Sequence, residues 1–134
     1  MSRNGNNSPP APSPDPDKIK RVKKELRRLS QLFRDIDPNK RNFVQKHIEQ
    51  LAWYNVSAAD LQAKIDQWGT LVQYDNGGGQ NGIRTNPDVK TLMDYQKNIN
   101  AITRTLIPLV PAGNRKTHRD LDTFMIYGGS LKHG

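Results

Sequence analysis

The chain has 134 residues, of which 34% are hydrophobic, and carries a formal net charge of +8. That length fits one domain with tails, and the small apolar fraction makes a lone core marginal, so association with further copies is expected. The absence of cysteine excludes a disulfide framework and a thiolate metal site, no apolar run is long enough for a membrane span or a signal segment, and the basic balance favours a polyanion, nucleic acid first.

Residues Met1 to Pro16 are rich in Asn, Ser, Pro and Gly and have no large apolar residue after Met1, so residues 1–16 are expected to be a disordered tail. A first helix is predicted from near Asp17, a good N-cap, with Asp15 adding favourable negative charge. Its apolar residues, Ile19, Val22, Leu26, Leu29, Phe33 and Ile36, repeat every seven residues, the pattern of a helix packing along another helix. Lys20, Arg21, Lys24, Arg27, Arg28 and Arg34 fall on the opposite face. From Lys18 to Arg34 there are eight basic residues and one acid, Glu25, so almost all of the net charge is concentrated there. Charge runs are usually solvated faces, but these cations are not interleaved with acids. A basic stripe on a rigid helix suits phosphate contacts, which fix register without reading bases. A basic amphipathic helix can also lie on an anionic membrane; the narrow seam without tryptophan favours helix packing instead.

Asp37-Pro38 predicts a second helix running to about Asn55, with Phe43, Val44, Ile48, Leu51 and Ala52 on its apolar face and Trp53 and Tyr54 in its last turn. Ser57 predicts the cap of a separate third helix, with Leu61, Ile65 and Trp68 as its buried stripe and Gly69 as its stop. No recognition helix follows, which argues against a helix-turn-helix. Thr70 to Tyr74 and Ile83 to Thr85 flank the Gly-rich stretch Asp75 to Gly82 and predict a small β-hairpin. The three adjacent glycines lack the Lys-Ser or Lys-Thr of a phosphate loop.

Asn86-Pro87 opens the longest predicted helix, which closes near Pro108. Leu92, Tyr95, Ile99, Ile102, Leu106 and Leu109 form its seam, with Lys90, Lys97 and Arg104 in line on the far side. The two seams predict a homo-oligomer held by Leu26, Leu29, Phe33, Ile99, Ile102 and Leu106. Residues 111–134 read as a flexible tail with a basic cluster, Arg115 to Arg119, and a short acidic-to-apolar run. Asp120, Leu121, Phe124, Ile126 and Tyr127 would form a docking motif for a partner protein, or the run folds back on its own domain. His47, His118 and His133 lack metal-ligand spacing, and no nucleophile motif is present, so neither an enzyme nor a metal or other cofactor is expected. The fold class expected is mainly α: a helical domain over residues 17–110 with a small hairpin before the long C-terminal helix, and disordered tails.

Two stretches, LAWYNVSAADLQAKIDQWG and TNPDVKTLMDYQKNINAITRTLIPLVP, together with their order and the hairpin between them, resemble the small terminase subunit of tailed bacteriophages, in the branch found in phages of Gram-positive hosts. The resemblance covers roughly Leu26 to Pro111. It implies a ring-forming, non-enzymatic protein of the host bacterial cytoplasm that recognises double-stranded viral DNA. Such a subunit directs the large terminase subunit, an ATPase and nuclease, in genome packaging. Many small terminases carry an N-terminal helix-turn-helix, from which this chain departs, so its DNA-binding candidates are the nine cations mapped above. A basic helical DNA-binding regulator acting as a dimer is the alternative, and a structural oligomer with a merely solvating basic face is a third.

Overall fold

The computed structural model describes residues 15–75, 77–79, 81–114, 121 and 124–126. The predicted disorder of the first fourteen residues, and the cluster from Arg115 to Arg119, lie outside them. Helix α1 spans Pro16–Ser30. Asp15, rather than Asp17, is its cap: the Asp15 carboxylate accepts from the Asp17 backbone N–H at 3.0 Å, and Pro16 takes the first helical position. The helix stops at Ser30, earlier than its seven-residue pattern suggests. A 3₁₀ turn over Gln31–Phe33 and Asp35, whose φ of 64° lies in the left-handed region, turn the chain toward the next helix. Phe33 and Ile36 thus reach the core from this connection rather than from α1.

Helix α2 runs unbroken over Pro38–Trp68, 31 residues, capped by Asp37. The predicted break between Asn55 and Ser57 does not exist. Between Pro38 and Gly69 there is no Gly or Pro to interrupt the ladder, and Val44, Ile48, Leu51, Asn55, Ala58, Gln62 and Ile65 keep alternating steps of four and three straight through the site. Polar residues at two of those positions hide the continuity. Ser57 caps nothing; it is a buried interior residue. Trp68, expected in a buried stripe, is 66% exposed at the helix end, and Leu61 is half-buried. Gly69, at φ 87°, ends the helix.

Strands β1 (Leu71–Asp75) and β2 (Asn81–Thr85) form the predicted antiparallel hairpin, with Gln73 opposite Ile83 and Tyr74 opposite Gly82. The Tyr74 ring lies across Gly82 so closely that a Cβ there would sit 3.0 Å from its hydroxyl. None of the hairpin's described side chains is buried. Helix α3 spans Pro87–Leu106 and passes into a 3₁₀ turn over Ile107–Leu109, where Pro108 removes a donor. Its cap, Asn86, is buried and works twice. Its side-chain oxygen accepts from the Asp88 N–H at 3.0 Å, and its amide donates to the Gly69 carbonyl at 2.9 Å, joining the end of α2 to the start of α3.

The core lies where α1, α2 and α3 meet. Leu29, Phe33, Ile99, Ile102 and Leu106 are all buried in it, and Leu26 packs at its edge. These residues, expected to hold copies together, instead hold one chain together. The two seams close on each other through α2, so their side chains are spent on the core. The C-terminal segment differs from expectation in the same way. Leu121 and Met125 are fully enclosed, and Phe124 and Ile126 pack against the same cluster, so the segment folds back on its own domain instead of standing free. Asp120 and Tyr127 lie outside the described residues.

Candidate nucleic-acid interface

The basic face of α1 divides in two once the side chains are placed. Lys20, Lys24 and Arg27 are exposed and have no ion pair within the described residues. Spaced four and three apart, they follow one line along the helix, about 10 Å from Lys20 to Arg27. Lys23, not among the sequence candidates, is exposed beside them. Arg34 lies past the end of the helix; it is exposed, and its Nε donates to the Gln31 carbonyl at 3.3 Å.

Arg21 and Arg28 belong elsewhere. Arg21 donates from Nη1 and Nη2 to both carboxylate oxygens of Asp60 on α2, at 2.8 and 3.1 Å, and from Nε to Asp17 at 3.0 Å. The hydrogen bond to Asp60 holds its guanidinium above its already high ordinary pKa, against some desolvation, so it stays charged while paired in the structure. Arg28 forms a two-pronged pair with Glu25 at 2.9 and 2.6 Å, donates to the Phe124 carbonyl, and lays its guanidinium 4.3 Å from the centre of the Phe124 ring. Asn55 completes this cluster by donating to Glu25 at 2.8 Å and to the Met125 carbonyl at 2.7 Å. Arg21 and Arg28 therefore join elements of the fold. The partners at close helical spacing, Asp17 to Arg21 and Glu25 to Arg28, are the signal in the sequence that marks both as engaged.

On α3, Lys90 pairs with Asp94 at 3.1 Å, while Lys97 and Arg104 are exposed and unpaired among the described residues. This line is shorter of free charge than the α1 row. The aromatic cluster around Trp53 is occupied with its own contacts. Trp53, Tyr54 and Tyr95 contact one another with ring centres 5.4 to 5.6 Å apart, and the Lys18 ammonium sits 4.7 Å over the Trp53 ring. His47 Nδ1 donates to the Phe43 carbonyl of its own helix, 2.8 Å away. Among the described residues no His, Asp or Glu group is arranged to hold a metal ion, and no helix is long and apolar enough to cross a membrane. What the α1 row can do chemically is neutralise successive phosphates on a rigid rod.

No family model, no curated protein and no solved structure matches the chain.

Proposed function

We propose that this chain is a phage terminase small subunit: a non-catalytic DNA-binding protein that assembles as a ring, engages double-stranded viral DNA and directs a large ATPase and nuclease subunit in the host cytoplasm. The observation that carries the reading is the row of exposed cations Lys20, Lys24 and Arg27 on the outer side of α1, unpaired among the described residues. Such cations on a rigid helix, with their neighbours Arg21 and Arg28 already paired, are free to meet phosphates. The sequence stretches that resemble small terminases supply the biological setting. The first falls on the C-terminal half of α2 and the second on α3, with the hairpin between them, although the two helices that resemblance expects before the hairpin are one here.

The test is a salt titration of duplex binding. Each phosphate that the protein neutralises adds roughly 0.9 to the steepness of log K against log salt. Replacing Lys20, Lys24 and Arg27 together by Ala should flatten that slope by about 2 to 3 and weaken binding to any sequence alike. Replacing Lys90, Lys97 and Arg104 should do less, since Lys90 already has a carboxylate partner. A greater flattening in the α3 variant would move the DNA surface to α3, and an unchanged slope in both would remove the DNA reading.

A further inference from the structure

Among the described residues, two exposed apolar patches stand out beside the core and the cation row. The first is a slot on the flank of α1, lined by Ile19, Val22 and Trp53, with Lys18, Lys23 and Asp15 at its rim. Ile19 and Trp53 are 43% and 42% exposed. The second is one face of the hairpin. Side chains alternate along a strand, so the register puts Leu71, Gln73 and Asp75 on the same face as Ile83 and Thr85. Leu71 and Ile83 are 61% and 67% exposed there. Trp68 shares a hollow with Leu71 and Asp88 at the root of that face.

A two-stranded hairpin is marginal in water unless something covers a face. Here no described helix buries either one. Charge decides what fits. Each copy carries +8, so copies repel unless acid meets base where they touch. The hairpin face carries Asp75 and no cation. Asp88 borders it, with Lys64 3.4 Å away as its partner. The α1 slot carries two lysines against one acid. Slot against slot would set lysines against lysines; slot against hairpin sets them against the Asp75 carboxylate, with apolar side chains between.

We propose that the hairpin face of one copy docks in the α1 slot of a second copy, head to tail. This rests on the ring-forming reading above and assigns it a contact. The two surfaces differ, so the contact repeats from copy to copy until it closes. It also leaves the cation row outside, because Ile19 and Lys20 point about 100° apart around the helix.

Complementary variants of the full chain test this. Lys18→Glu with Lys23→Glu breaks the slot and leaves the hairpin whole; Leu71→Lys with Ile83→Lys does the reverse. Native mass measurement should give a multi-copy species for the unaltered chain and the 15.2 kDa monomer for each variant alone. A mixture of the two variants keeps one intact slot and one intact hairpin, so it should form a one-to-one dimer and stop there. That dimer also proves both variants folded. A second pair, Ile19→Asp and Trp68→Lys, should behave the same way. If either variant alone assembles as the unaltered chain does, this contact is wrong while the ring reading stands. If both are monomeric, keep their helical circular dichroism and fail to pair when mixed, the contact is likewise overturned. If the unaltered chain is itself monomeric at concentrations far above those that saturate DNA, the ring reading falls and the contact with it.

Discussion

Arg27 and Arg28 are neighbours in sequence with opposite employment. Arg27 faces water, whereas Arg28 holds Glu25, the Phe124 ring and the Phe124 carbonyl at once. Arg28→Ala should lower stability by about 2 kcal/mol, since it strips charged hydrogen bonds from a half-buried cluster. Arg27→Ala should stay within about 0.5 kcal/mol. Urea denaturation of both variants separates them, and equal effects would mean the cluster does not bind the C-terminal segment to α1. Thr103 gives a prediction of the other sign. It is 1% exposed in the core, and its hydroxyl has no hydrogen-bond partner among the described residues. Thr103→Val should be neutral or stabilising by up to about 1 kcal/mol in the same denaturation, because it removes a polar group that is buried without return. Asn86, by contrast, was legible as a cap from the sequence alone. Its second bond, to the Gly69 carbonyl, was not, because that requires knowing that α2 ends beside the start of α3.

At the scale of elements, caps and the hairpin turn could be read directly, since each rests on local chemistry: Asp37-Pro38, Asn86-Pro87, Gly69 and the glycine tip. The continuity of α2 could not. Ser57 looks like a cap when only its neighbours are considered, and Asn55 and Gln62 interrupt the apolar row that would have shown the helix running on. Ser57→Ala tests this assignment. A true N-cap would lose about 1 kcal/mol, whereas a buried interior serine with no partner among the described residues should gain a few tenths of a kcal/mol from the better helix former. A drop in thermal midpoint would restore the break. The C-terminal segment was open between two readings because its six or so residues are equally suited to a partner or to their own core. Met125, 0% exposed, decides it. Met125→Ala should cost about 2 to 4 kcal/mol, measured by chemical denaturation. A variant as stable as the parent would return the segment to the role of a free docking motif.

For the whole molecule, the place of the net charge was legible and the use of the apolar seams was not. A heptad pattern says that a helix packs along a helix; it does not say whose. With α2 continuous, its long apolar row receives both seams within one chain, and the residues expected between copies became the core. The two remaining kinds of surface differ in their response to salt. Affinity for phosphates falls steeply as salt rises, while an interface with a large apolar part persists. On the function and contact proposed above, raising salt from about 0.05 to 0.5 M should therefore strip DNA from the protein well before the copies separate. Sedimentation in the presence of labelled duplex follows both at once, and disassembly ahead of DNA release would show that copies are held by charge alone.

An unbroken α2 also makes the molecule mechanical. Thirty-one residues of helix form a rod of about 46 Å, with the α1 turn at one end and the hairpin root at the other. A joint at Asn55 would have absorbed any strain arising midway; a continuous rod passes it on. Tilting such a rod by only ~5° moves its tip by about 4 Å, close to the distance between adjacent strands in a sheet. Strain applied at the α1 turn would thus reach the hairpin root instead of being absorbed midway.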